Sequence, residues 1–375
     1  MKNSVFLSIF FAVLCSFSCA QNPENQVSTP DNVPFSAELL IDEMQIPWGM
    51  AHLPDGSILL TEKSGEITHF FNGKKTSIAN VPEVYKRGQG GLLDIKLHPN
   101  YATNGWIYIS YSSSEGDEKG GNTALIRAKL KNNKLINSEL LYKAGPNTTK
   151  GQHFGSRIEF DKDGYLFLSI GDRGARDENP QNIKRDGGKI YRFNDDGSIP
   201  KDNPFVGTTG AKTAIYSYGH RNPQGLVRHP ETGEIWNHEH GPRGGDEINV
   251  IKAGANYGWP VITYGINYSG TEITDKTEMS GMEQPIHYWV PSIAPSGMAF
   301  VTTNNYGADW KGSLLVGSLA FQYLERLQLN GKKVVKREKL LGSIGRVRDV
   351  REGPDGLIYV AVEGKGIYKL VPKKG

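Results

Sequence analysis

The chain has 375 residues, with 43 Lys and Arg against 40 Asp and Glu, a formal charge of +3. That near-balance leaves no basic surplus to neutralise phosphates and argues against a nucleic-acid partner. Gly is 45 of the residues, about 12% against a usual ~7%, beside 20 Pro and 17 Tyr; this favours strands and turns, while the lack of a Gly-x-y period excludes collagen and 10% aromatics exclude wholesale disorder.

At the N-terminus Lys2 is followed by an apolar run, 5–17, too short to span a bilayer comfortably and ending in small residues, Ser16 and Ser18. Residues 1–18 read as an export signal. Cys15 and Cys19 are the only cysteines, so the exported part has no internal disulfide. Ser16-Phe17-Ser18-Cys19 resembles a loose bacterial lipobox, in which Cys19 becomes the lipidated first residue; an incidental Cys beside an ordinary signal is the alternative. The expected location is the periplasm or a lipid anchor on a bacterial membrane. Residues 19–36, rich in Asn, Gln, Pro and Ser, are expected to form a polar tether.

From residue 37 to 375 one theme recurs. Strand-like runs follow turn signals at 58–62 after Pro54-Asp55-Gly56, at 106–110 after His98-Pro99-Asn100, and at 165–169 after Lys162-Asp163-Gly164. The theme returns at 234–237, at 313–316 after Trp310-Lys311-Gly312, and at 357–361 after Pro354-Asp355-Gly356. A related apolar strand precedes most of them, as at 91–97, and no long helical period appears after the signal. An all-β chain with six such units, roughly 57 residues each, predicts a six-bladed β-propeller with inserted loops around 174–215 and 258–290. A β-sandwich with extra strands is the alternative.

Several segments carry residues that packing does not demand. His153 lies between glycines just before a strand, where an exposed imidazole titrating near neutrality suits a general base; a passive loop histidine is the alternative, and for a lone His the commoner case. Gly219-His220-Arg221-Asn222-Pro223-Gln224-Gly225 suits a planar anionic ligand, because guanidinium binds carboxylates in bidentate fashion; a turn with a solvent-exposed Arg is the alternative. Arg346 and Arg348 share a strand face by the period of two, and Asp349 faces the other way. Their mutual repulsion calls for a bound anion or a nearby acid, unless this is a solvated edge strand. In the run 238–249, His238 and His240 could hold a transition metal, but the oxygen-rich tail with Asp246 and Glu247 better suits calcium; a purely structural turn is the alternative.

Together His153-Phe154-Gly155-x-Arg157, 219–225, Glu239-His240-Gly241-Pro242-Arg243-Gly244-Gly245-Asp246-Glu247, Asn256-Tyr257-Gly258-Trp259-Pro260 and Arg346-x-Arg348-Asp349 resemble the glucose/sorbosone dehydrogenase family. The likeness is strongest to the aldose sugar dehydrogenases and runs from about Pro47 to Val371. It implies a propeller carrying pyrroloquinoline quinone (PQQ) and calcium, an aldose substrate oxidised to a lactone, and an electron acceptor that the chain does not disclose. It implies His153 as base and Arg221 in both catalysis and cofactor binding. Gln89, Asn222, Tyr268, Ser292, Arg346 and Arg348 fall at cofactor-face positions. Gly241 and Pro242 fall where carbonyls hold calcium, and Asp246, Glu247 and Tyr257 fall around a second calcium. One position departs: Ala320 stands where many members carry Lys, so Gln322 or another loop residue has to replace that cation, or affinity falls. A calcium-dependent propeller lactonase, a quinoprotein acting on a non-sugar alcohol and a non-catalytic propeller are the rival functions.

Overall fold

The computed structural model describes residues 27–28 and 30–373. The expected signal and Cys19 lie outside the described residues.

Six sheets, each with a core of four antiparallel strands, form the six blades of a β-propeller, and one of them gains a short fifth strand at its edge. In blade 1 the strands are Pro47–His52, Ile58–Glu62, Glu66–Phe71 and Lys74–Ser77, from the axis outward. Blade 2 runs from Leu92–Leu97 to Lys134–Lys143, blade 3 from Ile158–Phe160 to Ile215–Tyr218, and blade 4 from Pro223–Arg228 to His287–Trp289. Blade 5 runs from Pro295–Phe300 to Lys333–Leu340. Blade 6 takes Val347–Glu352, Ile358–Val362 and Gly366–Pro372 from the C-terminal end and Phe35–Ile41 from the N-terminal end, which closes the ring. Each of the six recurrent runs in the sequence is the second strand of its blade. The one α-helix among the described residues is a four-residue turn, Tyr101–Asn104.

The ring closes through its innermost strands, each of which packs on the innermost strand of the next blade, blade 6 on blade 1 included. Between every two blades lies an apolar cluster fed by both sheet faces. In Ile58-Leu59-Leu60, Ile58 and Leu60 join Ile41 and Ala361 of blade 6, while Leu59 joins Ile95 and Ile107 of blade 2. Leu314-Leu315-Val316 splits in the same way between blades 4 and 6. Burial on both faces explains why these strands are continuous apolar runs rather than alternating ones.

The closing strand begins at Phe35, two residues before the expected boundary, and Val27–Ser28 pairs in parallel with Arg337 and Glu338. The expected tether therefore ends sooner than 36. Its polar composition hid one anchor: Phe35 is buried, with its ring edge-on to Trp310 at 5.7 Å and Tyr306 at 6.1 Å.

Two features direct side chains to the axis. In five of the six blades the innermost strand shifts register against its neighbour near its start, at 47–49, 92–95, 223–225, 296–298 and 347–349. Such bulges re-aim side chains, and Trp48, Leu93, Gln224 and Arg348 at four of them line one central cavity. Deeper in the channel, Arg157 of blade 3 bonds the carbonyls of Gln224 at 2.8 Å and Arg348 at 3.0 Å and pairs with Asp349 at 3.0 Å and Asp94 at 3.3 Å. Arg351 pairs with the same two acids at 2.9 and 2.8 Å. Two arginines and two aspartates from three blades thus fill the axis below the cavity with their charges matched.

Candidate active site

All the site residues come from one end of the propeller. Most sit on the loops that enter each innermost strand and on the turns between second and third strands, while Tyr257, Trp259 and Tyr268 come from the long connection between the third and fourth strands of blade 4. Gln89, His153, Arg221 and Arg346 precede innermost strands, whereas Lys63, Asp172, His240 and Glu363 follow second strands. A propeller brings such positions together because each blade presents the same two loops to the axis.

A cavity of about 370 Å³ opens at the centre, within the range of small-molecule sites. Trp48, Leu93 and Phe154 form an apolar cluster on its wall. Its polar lining includes Gln89, Asn222, Arg346, Arg348, Lys63 and Glu363. Arg346 Nε bonds Glu363 Oε2 at 2.5 Å and Arg348 Nε bonds Glu363 Oε1 at 2.9 Å. The acid that the arginine pair demanded is therefore Glu363, held below the usual carboxylate range by Arg348 and Arg346 against burial. Asp349 faces the axis instead, on Arg157 and Arg351. Three cations against one carboxylate still leave the cavity lining with two uncompensated positive charges.

A second cavity of about 300 Å³ is lined by His153, Asp172, Arg221, Pro242, Trp259 and, on its rim, Tyr268, which is 75% exposed. The first cavity neighbours it through consecutive residues of two loops, 153–155 and 221–222. His153 has a left-handed backbone, φ 57°, and its N–H donates to Gln89 Oε1 at 2.7 Å. The expectation of an exposed imidazole is corrected: its side chain is only 14% exposed, because Nδ1 is drawn onto Asp172 Oδ1 at 2.6 Å. Asp172 also accepts from the Gly174 N–H at 2.7 Å and from Trp259 Nε1 at 2.9 Å. Three donors keep it ionised and acceptor-only, so Nδ1 carries the proton and the Nε2 lone pair is left free. Burial lowers the His153 pKa, with Asp172 pulling the other way. The ring is neutral at neutral pH and able to take a proton.

Arg221 is placed by Glu239, whose Oε2 accepts its backbone N–H at 2.6 Å. Its Nη1 donates to the carbonyls of His240 at 3.0 Å and Gly241 at 2.7 Å, and its guanidinium lies 5.3 Å from the Trp259 ring. The buried Nε has no partner among the described residues. Asn222 Oδ1 accepts from the Gly155 N–H at 3.3 Å and ties the two loops together.

The expected cation ligands divide. Asp246 is spent on structure: its carboxylate accepts from the Gly241 N–H at 2.8 Å, the Ala294 N–H at 3.0 Å and the Ser292 hydroxyl at 2.7 Å. Ser292 is thereby committed to Asp246, and the two hold the 241–246 loop against blade 5. Tyr257 bonds its hydroxyl to the Val250 carbonyl at 2.6 Å, which leaves only its backbone oxygen for a cation. The histidines of the His-x-His pair each point at a carbonyl, His240 to Pro295 at 2.7 Å and His238 to Gly297 at 3.4 Å. Among the described residues no three His, Cys, Asp or Glu side chains converge on a metal position.

Glu247 is different. It is the cross-strand partner of Glu239, so two carboxylates share one face, where like charges destabilise. Asn249 donates to both, at 3.1 and 3.4 Å. Burial and the Glu239 charge push the Glu247 pKa up to about 8. A cation bound between the two carboxylates would relieve that repulsion and hold Glu247 ionised. At Gly241 the carbonyl is already shared with Arg221, so a cation there displaces Nη1.

Asp172, Glu239, Glu363 and Lys63 were missed in the sequence. Asp172 had a weak signal, an acid between glycines at a strand end. The others are set by pairing across blades or strands.

A buried imidazole oriented by a carboxylate, an arginine beside it and a cationic cavity meet on the propeller axis, an arrangement suited to proton transfer beside an anionic ligand. The comparisons give the family. The glucose/sorbosone dehydrogenase pattern matches residues 44–369, and the chain belongs to that family of oxidoreductases. It is 42% identical over 348 residues to the aldose sugar dehydrogenase YliI of Escherichia coli, covering 90% of this chain and 93% of that one. The crystal structure of the soluble aldose sugar dehydrogenase of Escherichia coli in its apo form superposes with a TM-score of 0.87 at 39% identity, covering 90% of this chain and 100% of that one. The PQQ-bound aldose sugar dehydrogenase of Streptomyces coelicolor superposes with a TM-score of 0.74 at 27% identity, covering 92% and 100%.

Proposed function

We propose that the protein is an exported, PQQ- and calcium-dependent dehydrogenase that oxidises the anomeric hydroxyl of an aldose to the lactone. The observation that carries this reading is the His153–Asp172 pair, 2.6 Å apart, opening on one cavity while the cationic cavity adjoins it. The printed names of the relatives support the substrate class and the cofactor.

Arg346, Arg348, Gln89 and Asn222 would hold the cofactor, whose carboxylates match the surplus positive charge of the lining. The carbonyls of Gly241 and Pro242 would carry one calcium, and Glu247, with the Tyr257 carbonyl, a second. When bound, PQQ supplies the acceptor for the hydride leaving the anomeric carbon, with calcium as a Lewis acid beside it. The chain supplies the proton chemistry and the placement. His153 Nε2 takes the hydroxyl proton of the sugar, and Asp172 stabilises the imidazolium that results. Arg221 offers its guanidinium to negative charge developing between the two cavities. Tyr268 and Trp259 wall the substrate side.

His153→Gln is expected to lower kcat about 10²–10⁴-fold, the usual weight of general-base catalysis, with PQQ affinity held within a few-fold. Turnover of aldose near the wild-type rate in this variant rejects His153 as base.

A further inference from the structure

The central cavity holds a cation that no part of the proposed reaction uses. Lys63 lies in the turn after the second strand of blade 1 and lines the same cavity as Arg346, Arg348, Gln89 and Asn222. Its Nζ donates to the Gly88 carbonyl at 2.7 Å. Among the described residues no carboxylate stands within ion-pair distance of it, whereas Lys75, Lys96 and Lys252 each pair with one at 2.6–2.8 Å. An ammonium has three donors, and the carbonyl takes one. Burial and the Arg348 charge lower its pKa, with Glu363 opposing, which places it in the same electrostatic cluster as those two residues.

The backbone is shaped around this lysine. Gly91 passes so close beneath it that an added Cβ would meet the Lys63 carbonyl oxygen at 2.0 Å and its Cγ at 2.7 Å. Gly88, at φ 58°, lies so close to Gly151 that a Cβ would come within 2.3 Å of the Gly151 oxygen. The carbonyl that holds Nζ is therefore fixed, next to Gln89, whose own N–H is tied to Gly151 at 2.7 Å.

From blade 5, the loop carrying Leu319 contributes no charge to the cavity: Leu319 is buried, and Ala320 follows it. We infer that Lys63 is a cofactor-anchoring residue that supplies, from blade 1, the carboxylate-binding cation that Ala320 does not supply from blade 5. The inference rests on the reading of the cavity as a PQQ site.

The test is titration of the calcium-loaded apo-protein with PQQ, followed by absorbance, with no sugar present. Lys63→Gln is expected to raise Kd about 10- to 100-fold, the range for losing one charge-assisted hydrogen bond. Lys63→Arg should stay within about threefold. Adding Ala320→Lys to the Gln variant should recover about tenfold, and failure to do so overturns the compensation. An unchanged Kd in Lys63→Gln overturns the anchoring role while leaving the dehydrogenase reading intact. No PQQ binding by the wild-type chain overturns both. Should the Gln variant fail to fold, lysine acetylation of the wild-type protein gives a second readout by peptide mass. PQQ is expected to protect Lys63 and leave the exposed Lys201 reactive; equal labelling of Lys63 with and without PQQ overturns the inference.

Discussion

Replacing Asp172 by Asn keeps the shape of the group that orients His153 and removes its charge. In the native protein Oδ1 accepts from His153 Nδ1 and the Gly174 N–H, and Oδ2 accepts from Trp259 Nε1. An asparagine oxygen faces the side with two donors, so the imidazole keeps its tautomer and the new NH₂ meets the Trp259 N–H. Two costs follow. The imidazolium formed during proton transfer loses a charge-assisted partner, about 1.5–3 kcal/mol. At about 1.4 kcal/mol per factor of ten, kcat should fall roughly 10- to 150-fold. The Trp259 indole is left unsatisfied, which costs about 1–3 kcal/mol of folding stability. The pH profile adds a sign. Asp172 is the main influence raising a His153 pKa that burial holds below 6.5, so the variant's pKa falls further. The acid limb of kcat/KM, below pH 6.5 in the wild type, should move to lower pH. Steady-state assays with an aldose and an acceptor dye from pH 4 to 8 measure both effects. A kcat within threefold of wild type together with an unmoved acid limb would refute the assignment of Asp172 as the orienting carboxylate.

Glu363→Gln removes the only carboxylate among the described residues of the cationic wall; apo-protein stability should drop by about 1.5–3 kcal/mol, while PQQ should bind more tightly, and a weaker PQQ complex would contradict the charge argument. The raised Glu247 pKa means that the calcium-free folded state keeps a proton there from the ordinary carboxylate range up to about pH 8. The unfolded chain has already lost that proton, so this contribution to stability declines as pH rises through the window. Melting curves in EGTA should show that decline, and Glu247→Gln should flatten it; parallel slopes for the two proteins would reject a strained carboxylate pair. At the N-terminus, intact-mass analysis of the membrane fraction is expected to find a mature chain beginning at lipidated Cys19, and an unmodified start at another residue would reject the lipoprotein reading.

The sequence by itself determined the repeat. Doubly buried strands need apolar residues on both faces, and six such runs, each after a turn, have few solutions other than a ring of blades. It also marked residues whose chemistry exceeds any packing role: His153, Arg221, Asn222, Arg346 and Arg348 reach the two cavities from positions as far apart in the chain as 153 and 348. What those residues pair with was decided only by the tertiary structure. Glu363 bridges the arginine pair because its turn crosses the end of the strand that carries them. Asp172 meets His153 because the loops entering and crossing blade 3 converge at the axis. Glu239 confronts Glu247 through strand register. Asp246 and Ser292 look like ligands in the sequence and are each other's partners in space. Lys63 is one lysine among many until the ring closes and sets blade 1 beside blade 6. Residue type announces what a side chain can do; in a propeller, where every blade offers the same loops to one axis, only closure of the ring decides which groups meet there.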